Sequence, residues 1–256
     1  MAGAEGASAT GGLVLPPGFS LRAHDEIDST NEEARRLATG GAPHGTVVWA
    51  RRQTAGRGRR GRSWVSEPGN LFVSFLLRPS KPASEAAQIS FLSALAVGET
   101  LDRFRPAGST LAYKWPNDVL LDGAKVSGIL LESAGGGPTG LAWLVVGIGI
   151  NLAHHPDDVE RPAAHVGAGA TPEAVLAVLA ERLASWLARW ECDGFGPARD
   201  VWLARAAGLG GPVTVRLANE TIEGTFDGLG PDGTLSLILA DGSRRAITAG
   251  DVFLPA

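Results

Sequence analysis

The chain has a single cysteine, Cys192, among its 256 residues. One cysteine cannot form an internal disulfide or supply a cysteine-rich zinc site, and such usage favours a reducing, cytoplasmic compartment. The sequence also lacks an uncharged apolar run of about 18 residues, the length that a membrane-spanning helix requires. Its first residues have neither the basic start nor the apolar stretch of a signal peptide. These absences exclude a disulfide-stapled secreted domain and argue against a membrane protein.

An excess of positive charge is absent too. The formal net charge of −4 argues against a domain that binds nucleic acid over its whole surface. Residues 46–66 depart from this average, because they contain no acid and six arginines: Arg51, Arg52, Arg57, Arg59, Arg60 and Arg62. Lysine is scarce, since only Lys81, Lys114 and Lys125 occur among the 23 basic residues. A lysine kept in an arginine-rich chain calls for a functional explanation, and for Lys81 the sequence offers none.

Hydrophobic periodicity and turn residues divide the chain into three parts. Residues 1–20 are rich in glycine, alanine and proline, which predicts a mobile N-terminal lead-in. Residues 21–208 mix helical and strand patterns, including an amphipathic helix over 172–191 and closely spaced strands over 111–150 that predict an antiparallel meander. Residues 209–256 contain short strands separated by glycine turns, which predicts a small all-β module, a barrel of the SH3 type.

A short helix is predicted to begin at Ser29. This residue precedes Glu32 by three positions, the spacing of a capping box in which the serine side chain caps the helix. Gly40 and Gly41 are predicted to end it. Apolar residues at helical spacing over 85–104 predict a core helix.

The segment from Gln53 to Trp64 reads QTAGRGRRGRSW and combines glycines with arginines. Glycine lets backbone N–H groups approach an anion, and arginine adds charge-assisted donors, so a ligand with a phosphate or carboxylate fits this loop. The segment is not a P-loop, because no Gly-Lys-Ser/Thr follows. A solvated basic turn and contact with an RNA backbone are the alternatives. The flanking strands favour a ligand lid.

Three further positions carry candidate binding groups around a strand end. Lys114, Asn117 and Asp118 surround Pro116, which breaks the strand. A lysine supplies a point charge for a phosphate oxygen, and an aspartate can hold magnesium or a sugar hydroxyl, but an ordinary Asn-Asp turn is the alternative. Lys125 stands at the mouth of an apolar strand, where it either extends its charge to solvent or supplies a compact ammonium group.

The run 145–151, VVGIGIN, predicts a buried strand. Gly147 and Gly149 permit close approach of another backbone or of a flat ligand, and Asn151 places a polar group at the strand's end. Ordinary strand packing is the alternative. The five histidines do not form a metal set, and neither a Gly-x-Ser-x-Gly elbow nor a complete Rossmann fingerprint occurs.

The order of these motifs resembles that of the biotin protein ligases. The motifs are Ser29-Thr30-Asn31, Gly56-Arg57-Gly58-Arg59-Arg60-Gly61-Arg62 with Trp64, Lys114-Trp115-Pro116-Asn117-Asp118, Lys125-Val126-Ser127-Gly128-Ile129-Leu130 and Gly147-Ile148-Gly149-Ile150-Asn151. The likeness runs from about residue 20 to the C-terminus. It implies an α+β fold: a class II synthetase-like central domain, in which a mixed sheet has helices on one side, and a small C-terminal SH3-like β-barrel.

The resemblance implies a two-step, ATP-dependent reaction. Biotin and Mg-ATP form biotinyl-5′-AMP and pyrophosphate, and a lysine of a biotin carboxyl carrier protein, from acetyl-CoA carboxylase or a related carboxylase, then attacks the mixed anhydride. ATP with Mg²⁺ is thus a co-substrate and biotin the substrate, with no tightly bound prosthetic group. The loop glycines would let the loop close over the adenylate.

The resemblance also assigns the site residues. Biotin recognition falls to Ser29, Thr30, Asn31, Gln53, Gly56, Arg57, Gly58, Arg59 and Lys125. ATP binding falls to Lys114, Asn117, Asp118, Trp64, Asn151, Arg60 and Arg62, with Asp118 as a magnesium ligand. Lys125, Arg59 and Asp118 are the implied catalytic residues. The uncharged ureido ring of biotin needs hydrogen-bond partners rather than ions, and Lys125 would bridge the reacting carboxylate and the α-phosphate.

The sequence departs from the family in two places: repressor-type members carry an N-terminal DNA-binding domain, and residues 154–171 share little with the family, which leaves their ATP contacts unassigned. About 20 residues precede the catalytic region, so we expect no DNA-binding domain and no DNA contact. Family members pair through an edge of the central sheet, which makes a homodimer one option. A lipoate-protein ligase or octanoyltransferase of the same fold is the first rival, although such relatives lack the arginine-rich loop. The second rival is a non-enzymatic nucleic-acid-binding module.

Overall fold

The computed structural model describes residues 13–135, 140–156, 162–167 and 169–255. Its strands are β1 (Ser20–Ile27), β2 (Thr46–Gln53), β3 (Leu71–Leu77), β4 (Leu111–Lys114), β5 (Asp118–Leu121), β6 (Ala124–Gly135), β7 (Leu141–Ile150), β8 (Pro212–Arg216), β9 (Thr221–Leu229), β10 (Leu235–Ile238), β11 (Arg244–Ile247) and β12 (Asp251–Phe253). Its α-helices are α1 (Thr30–Thr39), α2 (Gln88–Leu101), α3 (Pro172–Asp193) and α4 (Gly196–Leu203). Within these ranges no helix is long and apolar enough to cross a bilayer. Most of the expected lead-in, residues 1–12, lies outside the described residues.

The first seven strands form one mixed sheet in the order β1-β2-β3-β7-β6-β5-β4. β1 and β2 run parallel, and every other neighbouring pair is antiparallel. The predicted meander over 111–150 is confirmed, because β4 to β7 pair in chain order. The sequence predicts no strand over residues 20–27, where the structure has β1. This edge strand contains only exposed and half-buried residues, so its apolar signal is weak.

Helices cover both faces of this sheet. Val47 and Val48 are successive strand residues and so point to opposite faces. Val47 belongs to the large core that includes α2, α3 and α4, whereas Val48 packs with Ala34 and Ala38 of α1. The expected arrangement of helices on one side therefore holds for α2, α3 and α4, and α1 lies on the other face.

The starts of two helices test the capping predictions. α3 begins as expected, with Pro172 in its first turn and the Thr171 side chain accepting from the Ala174 N–H at 3.3 Å. α1 begins after Ser29 as expected, but the Ser29 side chain makes no capping hydrogen bond among the described residues. The backbone N–H of Ser29 instead donates to Asp28 Oδ1 at 2.7 Å. The capping-box interpretation of Ser29 is therefore wrong.

The last five strands form an antiparallel sheet in the order β11-β10-β9-β8-β12. This agrees with the predicted all-β module, while closure into a barrel stays a prediction. The sheet docks beside α2: Trp115 Nε1 donates to the Gly233 carbonyl at 3.0 Å, and Gln88 Nε2 donates to the Pro231 carbonyl at 3.2 Å. A Cβ at Gly233 would stand 2.5 Å from the Phe91 ring, so only glycine fits this contact.

Candidate active site

A cavity of about 360 Å³ opens where the start of α1, the loop after β2, the β4–β5 turn, β6 and β7 meet. Its volume falls in the range of small-molecule sites. The structure brings most of the predicted site residues into its wall: Ser29, Thr30, Asn31, Gln53, Arg57, Gly58, Arg59, Arg62, Trp64, Lys114, Asn117, Asp118, Lys125 and Asn151. Residues from motifs up to 122 positions apart in the sequence thus share one site.

Gly56 and Arg60 are the predicted site residues that the structure leaves out of the described cavity wall. The Gly56 carbonyl accepts from the Trp64 N–H at 2.9 Å, and a Cβ at Gly56 would stand 2.5 Å from the Trp64 carbonyl oxygen. Arg60 adopts a left-handed backbone conformation, with φ of 56°, and its Nη1 lies 3.2 Å from Asp251 Oδ2. Both residues therefore shape the loop and do not reach the cavity.

One end of the cavity is lined by uncharged polar groups. The Thr30 N–H donates to Gln53 Oε1 at 2.8 Å, and Thr30 Oγ1 lies 3.1 Å from the same oxygen. Ser74 Oγ lies 2.6 Å from Asn31 Oδ1 and 2.9 Å from Thr30 Oγ1. Ser29, Thr30, Asn31 and Ser74 are all buried. Such fixed donors and acceptors suit a neutral heterocycle with N–H and C=O groups.

The glycines of β7 are covered by side chains of the protein itself. Asn31 lies against Gly147, and the Trp64 indole lies across Gly149, where a Cβ would stand 2.6 Å from Cε2. The same indole passes Gly128 of β6, where a Cβ would be 3.0 Å away. Trp64 Nε1 is buried there with no hydrogen-bond partner among the described residues. The expected close approach to these glycines is thus made by Asn31 and Trp64.

The other end of the cavity holds a buried carboxylate between two ammonium groups. Asp118 Oδ2 lies 2.8 Å from Lys114 Nζ, and Asp118 Oδ1 lies 2.6 Å from Lys125 Nζ. Burial acts to raise the pKa of Asp118, but attraction from Lys125 and Lys114 outweighs it and lowers the pKa to about 2. Lys125 is the more exposed of the two lysines, at 29% of its side chain against 9% for Lys114. Lys125 is therefore the more accessible of the two ammonium groups to a ligand.

The assignment of Asp118 as a magnesium ligand stays a prediction, and it would require at least one of the two lysines to move. Each of its oxygens already faces an ammonium nitrogen, and a hard divalent cation would need those same oxygens. In this geometry Asp118 holds the two lysines.

Carboxylates from two other elements hold the start of the arginine-rich loop. Arg57 Nη2 lies 2.8 Å from Glu132 Oε1 and also pairs with Glu32. Further along, Arg59 Nη1 donates to Asn117 Oδ1 at 3.0 Å. Burial lowers the pKa of Arg59 from its ordinary value, and the charge of Asp251 opposes that shift. A partly desolvated guanidinium interacts strongly with an anion that enters the site.

A residue of the C-terminal sheet holds the end of the same loop. Asp251, the first residue of β12, lies 3.2 Å from Arg62 Nη2 and 3.2 Å from Arg60 Nη1. Asp251 and its neighbour Val252 also line the cavity. The site is therefore built from both sheets.

Asn151 closes the wall at the end of β7. Its Nδ2 donates to the Ala164 carbonyl at 3.0 Å. The Lys125 N–H donates to the Pro162 carbonyl at 2.8 Å, and Ala163 lines the cavity. Asn151 thus positions the segment 162–167 beside Lys125 as well as facing the cavity.

Two family models match the chain. Residues 24–151 match the biotin/lipoate A/B protein ligase family, and residues 208–254 match the biotin protein ligase C terminal domain. The chain is 45% identical to a biotin–[acetyl-CoA-carboxylase] ligase of Paracoccus denitrificans over 235 residues, 88% of this chain and 97% of that protein. The chain belongs to the biotin protein ligase family.

Other biotin protein ligases are similar over nearly the same length. The bifunctional ligase/repressor BirA of Bacillus subtilis is 32% identical over 91% of this chain and 73% of its own length. The solved structure of the Aquifex aeolicus biotin protein ligase, in complex with biotin and ATP, superposes with a TM-score of 0.77 at 30% identity. That likeness covers 91% of this chain and 97% of the Aquifex chain.

Sequence reasoning missed polar residues of this biotin protein ligase that touch the site, among them Ser63, Ser74, Glu132 and Asp251. Ser74 stands in an otherwise apolar strand, LFVSFLL, and that isolated hydroxyl was the available signal. Glu132 ends an apolar run on β6, where it reads as a solvated residue. Asp251 gave no signal, because nothing local relates the last strand to a loop about 190 residues earlier.

Proposed function

We propose that this biotin protein ligase attaches biotin to a lysine of the biotin carboxyl carrier protein of acetyl-CoA carboxylase or a related carboxylase, through biotinyl-5′-AMP. The observation that carries the proposal is a single cavity with two chemically different ends. The uncharged polar end suits the ureido ring of biotin, and the cationic end suits a carboxylate meeting a phosphate. The named activity of the Paracoccus denitrificans relative supports the same reaction.

Biotin binds with its head group at the uncharged end. Ser29, Thr30, Asn31 and Gln53 supply hydrogen-bond donors and acceptors there, and Ser74 holds Thr30 and Asn31 in place. The apolar side chains of Phe72, Ile129 and Ile148 in the cavity wall suit the hydrocarbon part of the ligand. Because the head group is neutral, burying it there leaves no uncompensated charge.

The carboxylate of biotin then lies at the cationic end. An oxygen of that carboxylate attacks the α-phosphorus of ATP, a C–O–P anhydride forms, and the bond to pyrophosphate breaks. Negative charge builds up on the phosphoryl oxygens during this step, and Lys125 and Arg59 stabilise it. Asp118 acts by holding Lys125 in place. Gly58 lets the loop backbone come close to the same oxygens.

The nucleotide lies toward the far side of the cavity. Lys114, Asn117 and Arg62 surround the phosphate positions, while Trp64 and Asn151 face the adenosine. Magnesium enters as the complex of ATP. In the second step the carrier lysine attacks the carbonyl carbon of the adenylate, an amide forms and AMP leaves.

Several wider features belong to the proposal. We place the enzyme in the cytoplasm, where its carrier protein is made, and we assign catalysis to residues 21–208 with residues 209–256 as the C-terminal domain. A homodimer would pair through an edge strand of the large sheet, which is β1 or β4 in the described part. No contact with DNA is part of this function.

Biotin-dependent exchange of labelled pyrophosphate into ATP tests the first step. We expect exchange with biotin and none without it, and transfer of biotin to an apo carrier domain on addition of that domain. Exchange supported by lipoate and not by biotin would overturn the proposal in favour of a lipoate-protein ligase. Salt-sensitive binding of RNA, with no response to biotin in titration calorimetry, would favour the nucleic-acid-binding module.

A further inference from the structure

Glu132 touches both the uncharged end of the cavity and the arginine-rich loop. It lies on β6, and its two carboxylate oxygens have different partners. Oε2 accepts from Asn31 Nδ2 at 2.7 Å, and Oε1 accepts from Arg57 Nη2 at 2.8 Å.

The contact with Asn31 fixes the direction of that amide. A carboxylate only accepts hydrogen bonds, so the amide nitrogen of Asn31 must face Glu132. The amide oxygen then faces Ser74, whose hydroxyl donates to it at 2.6 Å. Ser74 has only one hydroxyl hydrogen, so its oxygen accepts from Thr30 rather than donating to it. One acidic residue therefore sets the donors and acceptors of its neighbours.

The far end of this chain of hydrogen bonds is fixed in the same way. Gln53 Oε1 accepts from the Thr30 N–H, which leaves Nε2 to donate to Ser66 Oγ at 2.9 Å. Ser66 Oγ donates in turn to the Trp64 carbonyl at 2.8 Å. The series thus runs between two groups that can only accept, Glu132 and the Trp64 carbonyl, and every amide in it has one orientation.

We propose that Glu132 is a positioning residue for biotin: it orients the Asn31 amide and anchors Arg57, so that head-group recognition and the loop share one support. This inference rests on the proposed function of the cavity. A neutral amide at position 132 could donate as well as accept, and the Asn31 amide could then turn over. A turned amide would present a donor where the ligand needs an acceptor, or the reverse, which weakens binding.

Glu32 provides a matched control. It also pairs with Arg57, but its other partner is Arg35 on the same helix and not Asn31. Glu32→Gln therefore removes a carboxylate from Arg57 and leaves the Asn31 amide held. The difference between Glu132→Gln and Glu32→Gln isolates the effect of orienting Asn31.

The test is titration calorimetry with biotin on the full chain, together with the KM for biotin and kcat of adenylation. We expect Glu132→Gln to weaken biotin binding about tenfold or more, in keeping with loss of the charged acceptor that holds the buried Asn31 amide. Glu32→Gln should stay within about threefold, because Glu32 pairs with the exposed arginines Arg35 and Arg57. The kcat of Glu132→Gln at saturating biotin should stay within about threefold of the parent, because the loss lies in binding. In an Asn31→Ala background, Glu132→Gln should weaken binding by less than about threefold, since the contact is already gone.

Three results would overturn the inference. The first is biotin affinity of Glu132→Gln within about twofold of the parent, and the second is an equal loss of affinity in Glu132→Gln and Glu32→Gln. The third is that Glu132→Gln lowers biotin affinity by the same factor in the Asn31→Ala background as in the parent. If Glu132→Gln does not fold, Glu132→Asp takes its place, because the shorter side chain keeps the charge and cannot span both partners. An unchanged affinity in Glu132→Asp would then overturn it. Failure of the parent protein to bind biotin would instead remove the proposed function.

Discussion

Lys125 Nζ lies 2.6 Å from Asp118 Oδ1, across the pair of strands β5 and β6. The same ammonium is 5.3 Å from the centre of the Trp64 ring. A carboxylate on one side and an aromatic face on the other hold the ammonium at the mouth of the cavity. Two groups of the protein itself therefore hold this lysine in place, which is what electrostatic stabilisation of a transition state requires.

Lys125→Ala should separate chemistry from binding. Loss of one charge aimed at the reacting oxygens should slow adenylate formation about 100-fold, while biotin affinity changes far less. Pyrophosphate exchange and titration calorimetry measure the two effects. Lys81→Ala is the control, because Lys81 contacts Glu85 and the Trp190 ring away from the cavity. Equal losses of exchange and affinity in Lys125→Ala would mean that the lysine serves ground-state binding.

The lowered pKa of Asp118 makes a prediction for stability against pH. Because the folded-state pKa is about 2 and the ordinary value is 3.8, ionised Asp118 contributes stability at neutral pH. That contribution is lost as the pH falls from about 5 toward 2. Asp118→Asn should be less stable at pH 7 by about 3 kcal/mol, since it leaves two ammonium groups without their shared partner. Denaturant unfolding should show that the difference in free energy of unfolding between the parent and Asp118→Asn becomes smaller in acid. A difference that is constant with pH would contradict the prediction.

Asp251→Asn should loosen the arginine-rich loop from the C-terminal sheet. The change removes the negative charge that Arg60 and Arg62 share, so we expect faster proteolysis within the loop. We also expect kcat/KM for ATP in pyrophosphate exchange to fall about tenfold. Asp227→Asn is the matched control: Asp227 lies in the same sheet and pairs with Arg244. The same loss in both variants would show a general weakening of the sheet and no specific hold on the loop.

Alanine at the two glycines of β7 should affect the two ends of the cavity separately. Gly147→Ala would push against the Asn31 side chain and should weaken biotin binding. Gly149→Ala would place a Cβ 2.6 Å from the Trp64 ring and should raise the KM for ATP more than that for biotin. Overpacking of this kind costs about 1–3 kcal/mol, and Gly135→Ala, with open space at its Cβ, is the control. Matching kinetic profiles for the two β7 variants would argue against this division.

The residues that line the cavity could be predicted from the sequence far better than the residues that hold them in place. Residues such as Thr30, Gln53 and Lys125 belong to short motifs whose residue types suit their ligand, and the structure places them together. The supporting residues come from elsewhere in the chain. Glu132 lies on β6 and contacts α1 and the arginine-rich loop, and Asp251 lies in the C-terminal sheet and contacts the same loop. No local spacing in the sequence links either residue to its partners.

The fold shows the same division between local and distant determinants. The helix that begins at Pro172 and the meander of β4 to β7 follow from local periodicity and turn residues, and both were predicted. β1 is set by pairing with β2 at the sheet edge, and its residues carry little apolar pattern. The Ser29 side chain was misread as a cap because a serine before a helix suits a cap and a ligand-binding wall equally well.

The contribution of β12 to the cavity has a consequence for recombination between related enzymes. Asp251 and Val252 stand in the wall, and Gly233 fits closely against Phe91. A chimera that joined the large sheet of this protein to the terminal strands of a relative would inherit whatever side chain that relative carries opposite Arg60 and Arg62. The position of the arginine-rich loop in such hybrids would therefore depend on the parent that supplies the C-terminal sheet. This would hold although every substrate-binding motif came from the other parent.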